Sequence, residues 1–236
     1  MATSLFITGT DTGVGKTVLA ASLLAAARGA GVRAAPMKPI QTGCTPDGAD
    51  LRAPDLDFCL RASGMRIRET VYRDMAPHCY EPACSPHLAA REAGQDIELE
   101  PILAAFRRLS ADHDCILVEG AGGVLVPISD SLTMLDLMQA FDLPVVLAAR
   151  TGLGTLNHTL LSLHALRHAA VRVAGVVLVE SAATNWGDIE TDNRRTLEAR
   201  GEAPVLGVLP YVEGIETADT LPDVLLHAGR EIMDRI

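Results

Sequence analysis

Gly9-Thr10-Asp11-Thr12-Gly13-Val14-Gly15-Lys16-Thr17 follows the apolar run Leu5 to Thr8 and leads into the Ala/Leu-rich segment Val18 to Ala27. A strand that enters a glycine-rich turn and continues as a helix aims backbone N–H groups and the positive end of the helix dipole at one point. That point suits a polyphosphate. Gly13, Val14 and Gly15 would wrap the phosphates, Lys16 would reach the β- and γ-phosphates of a nucleotide such as ATP, and Thr17 would ligate Mg²⁺. Five residues separate Gly9 from Gly15, one more than the usual spacing, so the loop is a variant.

The other residues with chemistry to offer end apolar runs. Lys38 closes Val32 to Lys38, Glu119 closes Cys115 to Glu119, and Arg150 follows Val145 to Ala149. Lys38 reads either as a solvated strand end or as a cation facing a ligand. Glu119 precedes Gly120-Ala121-Gly122-Gly123, a stretch poor in side chains that leaves room for a metal and a ligand. Asp55, after Pro54, reads either as a helix N-cap or as an oxygen ligand.

Positioning these residues needs a scaffold, and the apolar pattern describes one. Further apolar runs span Val173 to Val179 and Val205 to Leu209. Near-continuous apolarity marks strands buried on both faces of a parallel sheet. Helical patterns lie between them at Thr17 to Ala30, Asp55 to Ala62, Ser85 to Ala93, Pro101 to Ala111, Thr133 to Phe141, Thr155 to Ala170, Asp188 to Arg200 and after Thr217. The alternation predicts an α/β fold, a P-loop NTPase-like, doubly wound and mostly parallel sheet with helices on both faces. Ligands bind such a sheet outside the carboxyl ends of its strands. The polar stretch Gln41 to Ala49 reads as an ordered active-site loop or a mobile lid.

The 236 residues fit one domain spanning 1–236, with no repeat or linker to divide it. Hydrophobic residues make up 48% and aromatics 3%, so the core must be aliphatic. A formal net charge of −10 argues against nonspecific nucleic-acid binding, which depends on Lys and Arg to neutralise phosphates. The five cysteines are odd in number and include no C-x-x-C pair, which disfavours a disulfide framework and a zinc site and fits the reduced cytoplasm. No apolar run approaches the ~18 residues of a membrane span, and the phosphate loop begins too early for a cleaved signal peptide to precede it.

Five motifs in order then carry a resemblance. They are the loop from Gly9 to Thr17, Met37-Lys-Pro-Ile-Gln-Thr-Gly43, Glu81-Pro-Ala-Cys-Ser-Pro-His87, Val118-Glu-Gly-Ala-Gly-Gly123 and Leu153-Gly-Thr-Leu-Asn-His158. Together they resemble the dethiobiotin synthetase family over most of the chain. The resemblance implies a homodimeric ligase that converts 7,8-diaminopelargonate, CO₂ (or bicarbonate) and ATP into dethiobiotin, ADP and phosphate, by way of a carbamate and its phosphoric anhydride. It implies Lys16 and Lys38 as catalytic cations and Thr17, Asp55 and Glu119 as the Mg²⁺ shell. Thr12, Lys38 and Thr42 correspond to positions around the amines and the carbamate. Leu153, Gly154, Thr155, Leu156 and Asn157 correspond to the place where the substrate carboxylate reaches the neighbouring subunit, at a helix start whose N–H groups are free. There Thr155 and Asn157 read as caps, as ligands, or as both.

The chain departs from some relatives at two points. Val179-Glu180 stands where they place an Asn that contacts adenine, which leaves Val179 and Pro210 as the candidate neighbours of the base and Glu180, Asn185 or the backbone after Pro210 as groups able to restore its recognition. Gly152 stands where some place a Lys, with Arg150 as the cation able to replace it. Among the remaining residues, His164 and His168 read as a solvated helix face. Cys79 and Cys84 read as ordinary thiols, His87 as a site border or a packing residue, and Trp186 as a cover for the core or a neighbour of the base. Two alternative functions share the loop. One is a partitioning or positioning ATPase acting as a dimer switch, which usually carries a further Lys where this chain has Thr10, Asp11 and Thr12. The other is a different P-loop amide-forming synthetase, which usually adds a glutaminase region.

Overall fold

Along β1 (Leu5–Gly9) the side chains alternate, Leu5 and Ile7 entering one apolar layer and Phe6 the other. The same alternation runs through β7 (Cys115–Gly123), β8 (Val145–Arg150) and β9 (Val173–Val179), so each strand is apolar on both faces and must be covered twice. The computed structural model, which describes residues 4–183 and 186–236, shows how this is met. One six-stranded parallel sheet has the order β10-β9-β8-β1-β7-β2, with β2 spanning Ala34–Met37 and β10 spanning Val205–Leu209.

Helices α1 (Lys16–Gly29), α2 (Pro54–Ala62) and α9 (Asp223–Met233) contribute to the layer that holds Leu5 and Ile7. The layer around Phe6 takes α3 (Glu69–Met75), α4 (Pro86–Glu92), α5 (Leu99–Asp112), α6 (Met134–Phe141), α7 (Thr155–His168) and α8 (Asp188–Arg200). The fold is the doubly wound α/β sheet that the sequence predicts. No helix among the described residues is long and apolar enough to cross a membrane.

Strand register gathers the chemistry at one end. Met37 pairs with Val118 in the parallel ladder, so the next residues, Lys38 and Glu119, leave their strands side by side. Ile7 pairs with Glu119, which brings the start of the phosphate loop to the same edge. The order of strand addition reverses around β1, whose neighbours β7 and β8 lie on opposite sides, and this is where open α/β sheets hold their ligands.

The elements differ from expectation in three places. β7 runs four residues past Glu119 to Gly123, because Gly120 lies under the Phe6 ring, where a Cβ would come within 2.9 Å, and Gly123 still pairs with Gly9. Gln41 to Ala49 is ordered and lines the site, but as strand and hairpin more than loop. It holds the end of β3 (Ile40–Thr42), which pairs with β6 (His78–Tyr80), and then a hairpin of β4 (Thr45–Asp47) and β5 (Asp50–Arg52). Strands of three residues are too short to show a period, and α3 and β6 escape the sequence pattern for the same reason.

The crossing of α9 over α1 seats the helix that carries the phosphate loop. A Cβ on Gly229 would lie 2.4 Å from the Ser22 carbonyl oxygen, so the contact is closed to any side chain. Gly229→Ala should therefore lose about 1–3 kcal/mol through overpacking. Urea unfolding monitored by circular dichroism checks this, and an unchanged midpoint would show that the crossing yields freely.

Candidate active site

Three φ-positive glycines shape the ligand-facing turns. In the phosphate loop Gly13 has φ +69° and Gly15 φ +85°, values that L side chains rarely adopt. Space makes the same demand at Gly15, where a Cβ would fall 2.5 Å from Val179 Cγ1. Val14 is buried, and the turn is pinned where the Thr10 N–H donates to the Ala148 carbonyl at 3.0 Å. The helix that follows has no side-chain cap and no acidic residue in its first turn, which leaves its N–H groups to an anion. Gly122, at φ +66°, brings the β7 end close to Thr12.

Two lysines and two carboxylates meet behind this turn. Lys38 Nζ lies 2.6 Å from Glu119 Oε1 and 2.6 Å from Asp55 Oδ2, and also donates to the Gly120 carbonyl at 3.3 Å. Thr17 Oγ1 donates to the same Glu119 oxygen at 2.9 Å. Lys16 Nζ donates to the Asp11 carbonyl at 2.8 Å, so the loop closes over its own lysine. Burial pushes the Lys16 ammonium down to about 8, helped by repulsion from Lys38. Burial also opposes the charge on Lys38, but Glu119 and Asp55 outweigh it and hold the ammonium above its usual range. Glu119 is raised, burial prevailing over the attraction of Lys38. Burial acts in the same direction on Asp55, yet Lys38, Gln41 and Lys16 together carry it below the ordinary carboxylate range.

The two readings of Asp55 separate here. Ala53 is the N-cap of α2, and Asp55 sits inside the first turn with its carboxylate on Lys38, so it does not cap. Lys38 is 4% exposed, which removes the solvated strand end. Thr17, Asp55 and Glu119 thus present a hydroxyl and two carboxylates within reach of one point. They open onto a cavity of about 1070 Å³, lined also by Thr12, Lys16, Lys38 and Thr42. Among the described residues no group of three or more His, Cys, Asp or Glu could hold a metal ion, so any such site needs the threonine and a ligand to complete it.

Leu153, Gly154, Thr155, Leu156 and Asn157 do not line this cavity. They form the start of α7, capped by Gly154 at φ +95° with no side-chain cap bond. The Thr155 hydroxyl is spent on Thr159 at 3.2 Å, and Asn157 is exposed, so neither residue caps the helix. Leu153 is 94% exposed. Val179 is buried against Gly15, and Pro210 follows β10, half-buried. The Glu180 carboxylate is occupied by the Tyr211 N–H at 3.2 Å, and Asn185 lies outside the described residues.

Four further residues hold the site in place. Gln41 Nε2 donates to the Thr42 carbonyl at 3.0 Å, and Gln41 is one of the groups that favour the charged Asp55. Arg61 ties α2 to the carbonyls of Glu216 at 2.8 Å and Ala218 at 3.1 Å. The buried Asn193 gives Nδ2 hydrogens to Thr151 at 2.9 Å and Gly152 at 3.2 Å, fixing the turn before α7. Arg150 reaches the Thr12 carbonyl at 3.5 Å, so a cation does stand beside the phosphate loop. Gln41 lies within a quoted motif; Arg61 and Asn193 act on backbone distant in sequence and leave no local signal.

The other conspicuous residues stand apart. His87 borders a separate cavity of about 540 Å³ beside Ile128 and Leu132. His164 and His168 stack on α7 with ring centroids 6.3 Å apart. Trp186 is 37% exposed and donates to Thr191 at 2.9 Å, so it does not seal the core.

Comparison with known proteins agrees with this geometry. The AAA domain family matches residues 3–219. An ATP-dependent dethiobiotin synthetase of Yersinia pestis is 38% identical over 211 residues, 89% of this chain and 86% of the relative. One of Pseudomonas aeruginosa is 41% identical over 212 residues, covering 89% and 90%. One of Anaeromyxobacter dehalogenans is 43% identical over 174 residues, covering 74% and 75%. Among solved structures, the MinC:MinD cell division protein complex of Aquifex aeolicus superposes with a TM-score of 0.65 at 14% identity, over 99% of this chain and 95% of that one. That likeness concerns the fold alone. The sequence relatives reach further, and the chain belongs to the family of ATP-dependent dethiobiotin synthetases.

Proposed function

We propose that this family member is the ATP-dependent ligase that makes dethiobiotin from 7,8-diaminopelargonate and CO₂. One amine takes up CO₂ as a carbamate, the carbamate oxygen attacks the γ-phosphorus of ATP, and ADP leaves. The second amine then attacks the carbonyl carbon of the mixed anhydride, expelling phosphate and closing the cyclic urea. The observation that carries this reading is the convergence of Lys16 and Lys38 on one cavity with the Thr12 and Thr42 hydroxyls. A carbamate and a triphosphate repel one another, and fixed cations at a water-poor point lower the barrier to their meeting. No covalent nucleophile is required.

Thr17, Asp55 and Glu119 offer only hard oxygen donors, a set that suits Mg²⁺, and the bound ion would neutralise phosphate charge. The start of α7 would receive the substrate carboxylate of a partner subunit, since its first turn has neither a side-chain cap nor an acidic residue and lies next to the exposed Leu153. A homodimer covering that apolar residue is part of the proposal. The two apolar layers share one sheet, which supports reading 1–236 as one domain. The odd number of cysteines, with no C-x-x-C pair, supports placing the enzyme in the reducing cytoplasm.

Purified protein incubated with diaminopelargonate, bicarbonate, Mg²⁺ and ATP should yield dethiobiotin by mass spectrometry; nucleotide hydrolysis without the diamine and without that product would favour the ATPase alternative. Lys16→Ala should reduce turnover by roughly 10²–10³-fold while leaving the melting temperature nearly unchanged, because Lys16 is held only by a carbonyl. Lys38→Ala should abolish product and also destabilise the fold by about 3–5 kcal/mol, since it leaves Glu119 buried and unpaired. Near-normal turnover in either variant removes that lysine from the mechanism.

Leu153→Asp should weaken self-association and raise KM for the diamine at least 10-fold without moving the ATP dissociation constant. Sedimentation and calorimetry read the two effects, and a monomer with native diamine affinity would refute the shared site. The base generates the last expectation. Val179 packs on the phosphate loop and has no amide to pair with adenine, so apolar contact should discriminate among bases by only about 1–3 kcal/mol. Comparing kcat/KM for ATP, GTP and CTP tests this, and a preference of ~10³-fold or more for ATP would show that other groups read the base.

A further inference from the structure

We propose that Arg61 is a positioning residue for the nucleoside half of ATP, holding residues 214–219 as the wall against which the nucleoside rests. The cavity at the phosphate loop has two sides. Thr12 and Thr42 line the one given above to the diamine, and Val18, Phe58, Arg61 and Glu216 line the other, beside the first turn of α1. There α2 is seated by Cys59, whose thiol donates to the Thr17 carbonyl at 3.8 Å. The loop backbone takes the α- and β-phosphates and its lysine the β- and γ-phosphates, while in-line transfer puts the carbamate on the far side of the γ-phosphorus from the rest of the nucleotide. The nucleoside therefore leaves away from Thr12 and Thr42, past Val18.

The wall on that side is weakly anchored. Between Pro210 and Pro222 the connection from β10 to α9 fully buries just Ile215 and Leu221. Its middle is a single 3₁₀ turn, Ile215–Thr217, entered at Gly214 with φ +69°. The turn closes on itself, since the Thr217 N–H and hydroxyl both donate to the Gly214 carbonyl, at 3.1 and 3.0 Å. Among the described residues, the hydrogen bonds that tie 214–219 to the rest of the chain all come from Arg61, whose Nη2 donates to the Glu216 carbonyl at 2.8 Å and Nε to the Ala218 carbonyl at 3.1 Å. The Asp219 carboxylate stands 3.9 Å from the same Nε, and the guanidinium lies 5.7 Å from the centre of the buried Phe58 ring. One side chain thus sets where Glu216 stands.

A loosely held wall would have to be ordered at the moment of binding, and that ordering is subtracted from affinity. Arg61 orders it beforehand. The same short helix carries Asp55 in its first turn, on Lys38, so α2 braces the cavity from the buried ion pairs to the nucleoside wall. The role of Arg61 rests on ATP occupying the phosphate loop as proposed above, and the experiment reports on the two separately.

The full chain and its Arg61→Ala and Arg61→Lys variants are titrated calorimetrically with ATP and with inorganic tripolyphosphate, which engages the phosphate loop and has no nucleoside. Arg61→Ala should weaken ATP about 10-fold and leave tripolyphosphate within about twofold, because hydrogen bonds from a charged donor are lost only at the wall. KM for ATP should rise by the same factor while kcat moves less than about twofold. Arg61→Lys, with one ammonium for two carbonyls, should recover part of the loss. On the unmodified chain, cleavage after Glu216 by a glutamate-specific protease should slow with ATP and not with tripolyphosphate. Unchanged ATP affinity in Arg61→Ala overturns the proposal, and so does an equal loss for both ligands, which would trace the effect to the phosphates or to the fold at large. Cleavage that ATP leaves unslowed overturns it too, as does an unmodified chain that binds ATP no more tightly than tripolyphosphate. If the unmodified chain binds ATP and makes no dethiobiotin, it is the functional reading that fails, while the comparison of the two ligands still decides for Arg61.

Discussion

Lys38 is an ammonium withdrawn from water, and the candidate site is arranged around what that withdrawal costs. Burying an unpaired charge costs several kcal/mol, and the cost is met only when opposite charges and hydrogen bonds surround it closely. Glu119 and Asp55 do so at 2.6 Å each, and the Gly120 carbonyl takes a further hydrogen at 3.3 Å. Those partners come from β7 and from the first turn of α2, while Lys38 itself leaves β2. The ladder that pairs Met37 with Val118, the length of the β4–β5 hairpin and the entry angle of α2 must all agree for one ammonium to be satisfied. Thr17 joins through Glu119, so the phosphate loop is tied to the same point. Two lysines balance two carboxylates there, and the charge that a nucleotide brings falls on the helix start, whose first turn carries no acidic residue of its own.

Glycine does the complementary work of keeping side chains out. At Gly15 the Val179 methyl occupies the space a Cβ would need, so the end of β9 is pressed against the phosphate loop. That contact explains what Val179 does in this chain: it braces the backbone that cradles phosphate and has no polar group with which to read a base. Recognition thereby shifts toward the phosphates. A protein of net charge −10 holds an anionic ligand through this local field, since its overall charge works against the encounter.

How much of this is legible in the sequence depends on how local each signal is. The phosphate loop is local: strand, glycines, Lys16 and Thr17 lie within a single run, and the structure keeps them in that order. Lys38 and Glu119 are legible because both end apolar runs, and a parallel sheet brings such ends to one edge. Asp55 is only half legible. Pro54 announces a helix start, but that Ala53 holds the cap and frees the carboxylate for Lys38 depends on a contact with another strand. Asn193 and Arg61 give no signal, because each works by donating to distant backbone carbonyls whose position only the folded chain defines.

The scaffold shared with the MinC:MinD complex, at 14% identity and a TM-score of 0.65, shows where specificity has to reside. A fold of this kind fixes the edge at which ligands bind and leaves open what is done there. In this chain one cavity gathers its cations, hydroxyls and carboxylates from α1, β7, the first turn of α2 and the residue that follows β2. The start of α7 lies outside that cavity, yet it has no side-chain cap and keeps a leucine almost wholly in water. Neither feature gains from remaining exposed, since the leucine is more stable out of water and the uncapped helix start turns its dipole to water alone. They make physical sense together when a second copy covers the leucine and its ligand's carboxylate meets the helix. In the dimer proposed above, phosphate chemistry is the business of one chain, and the choice of which amine-bearing acid is carried to it belongs to two.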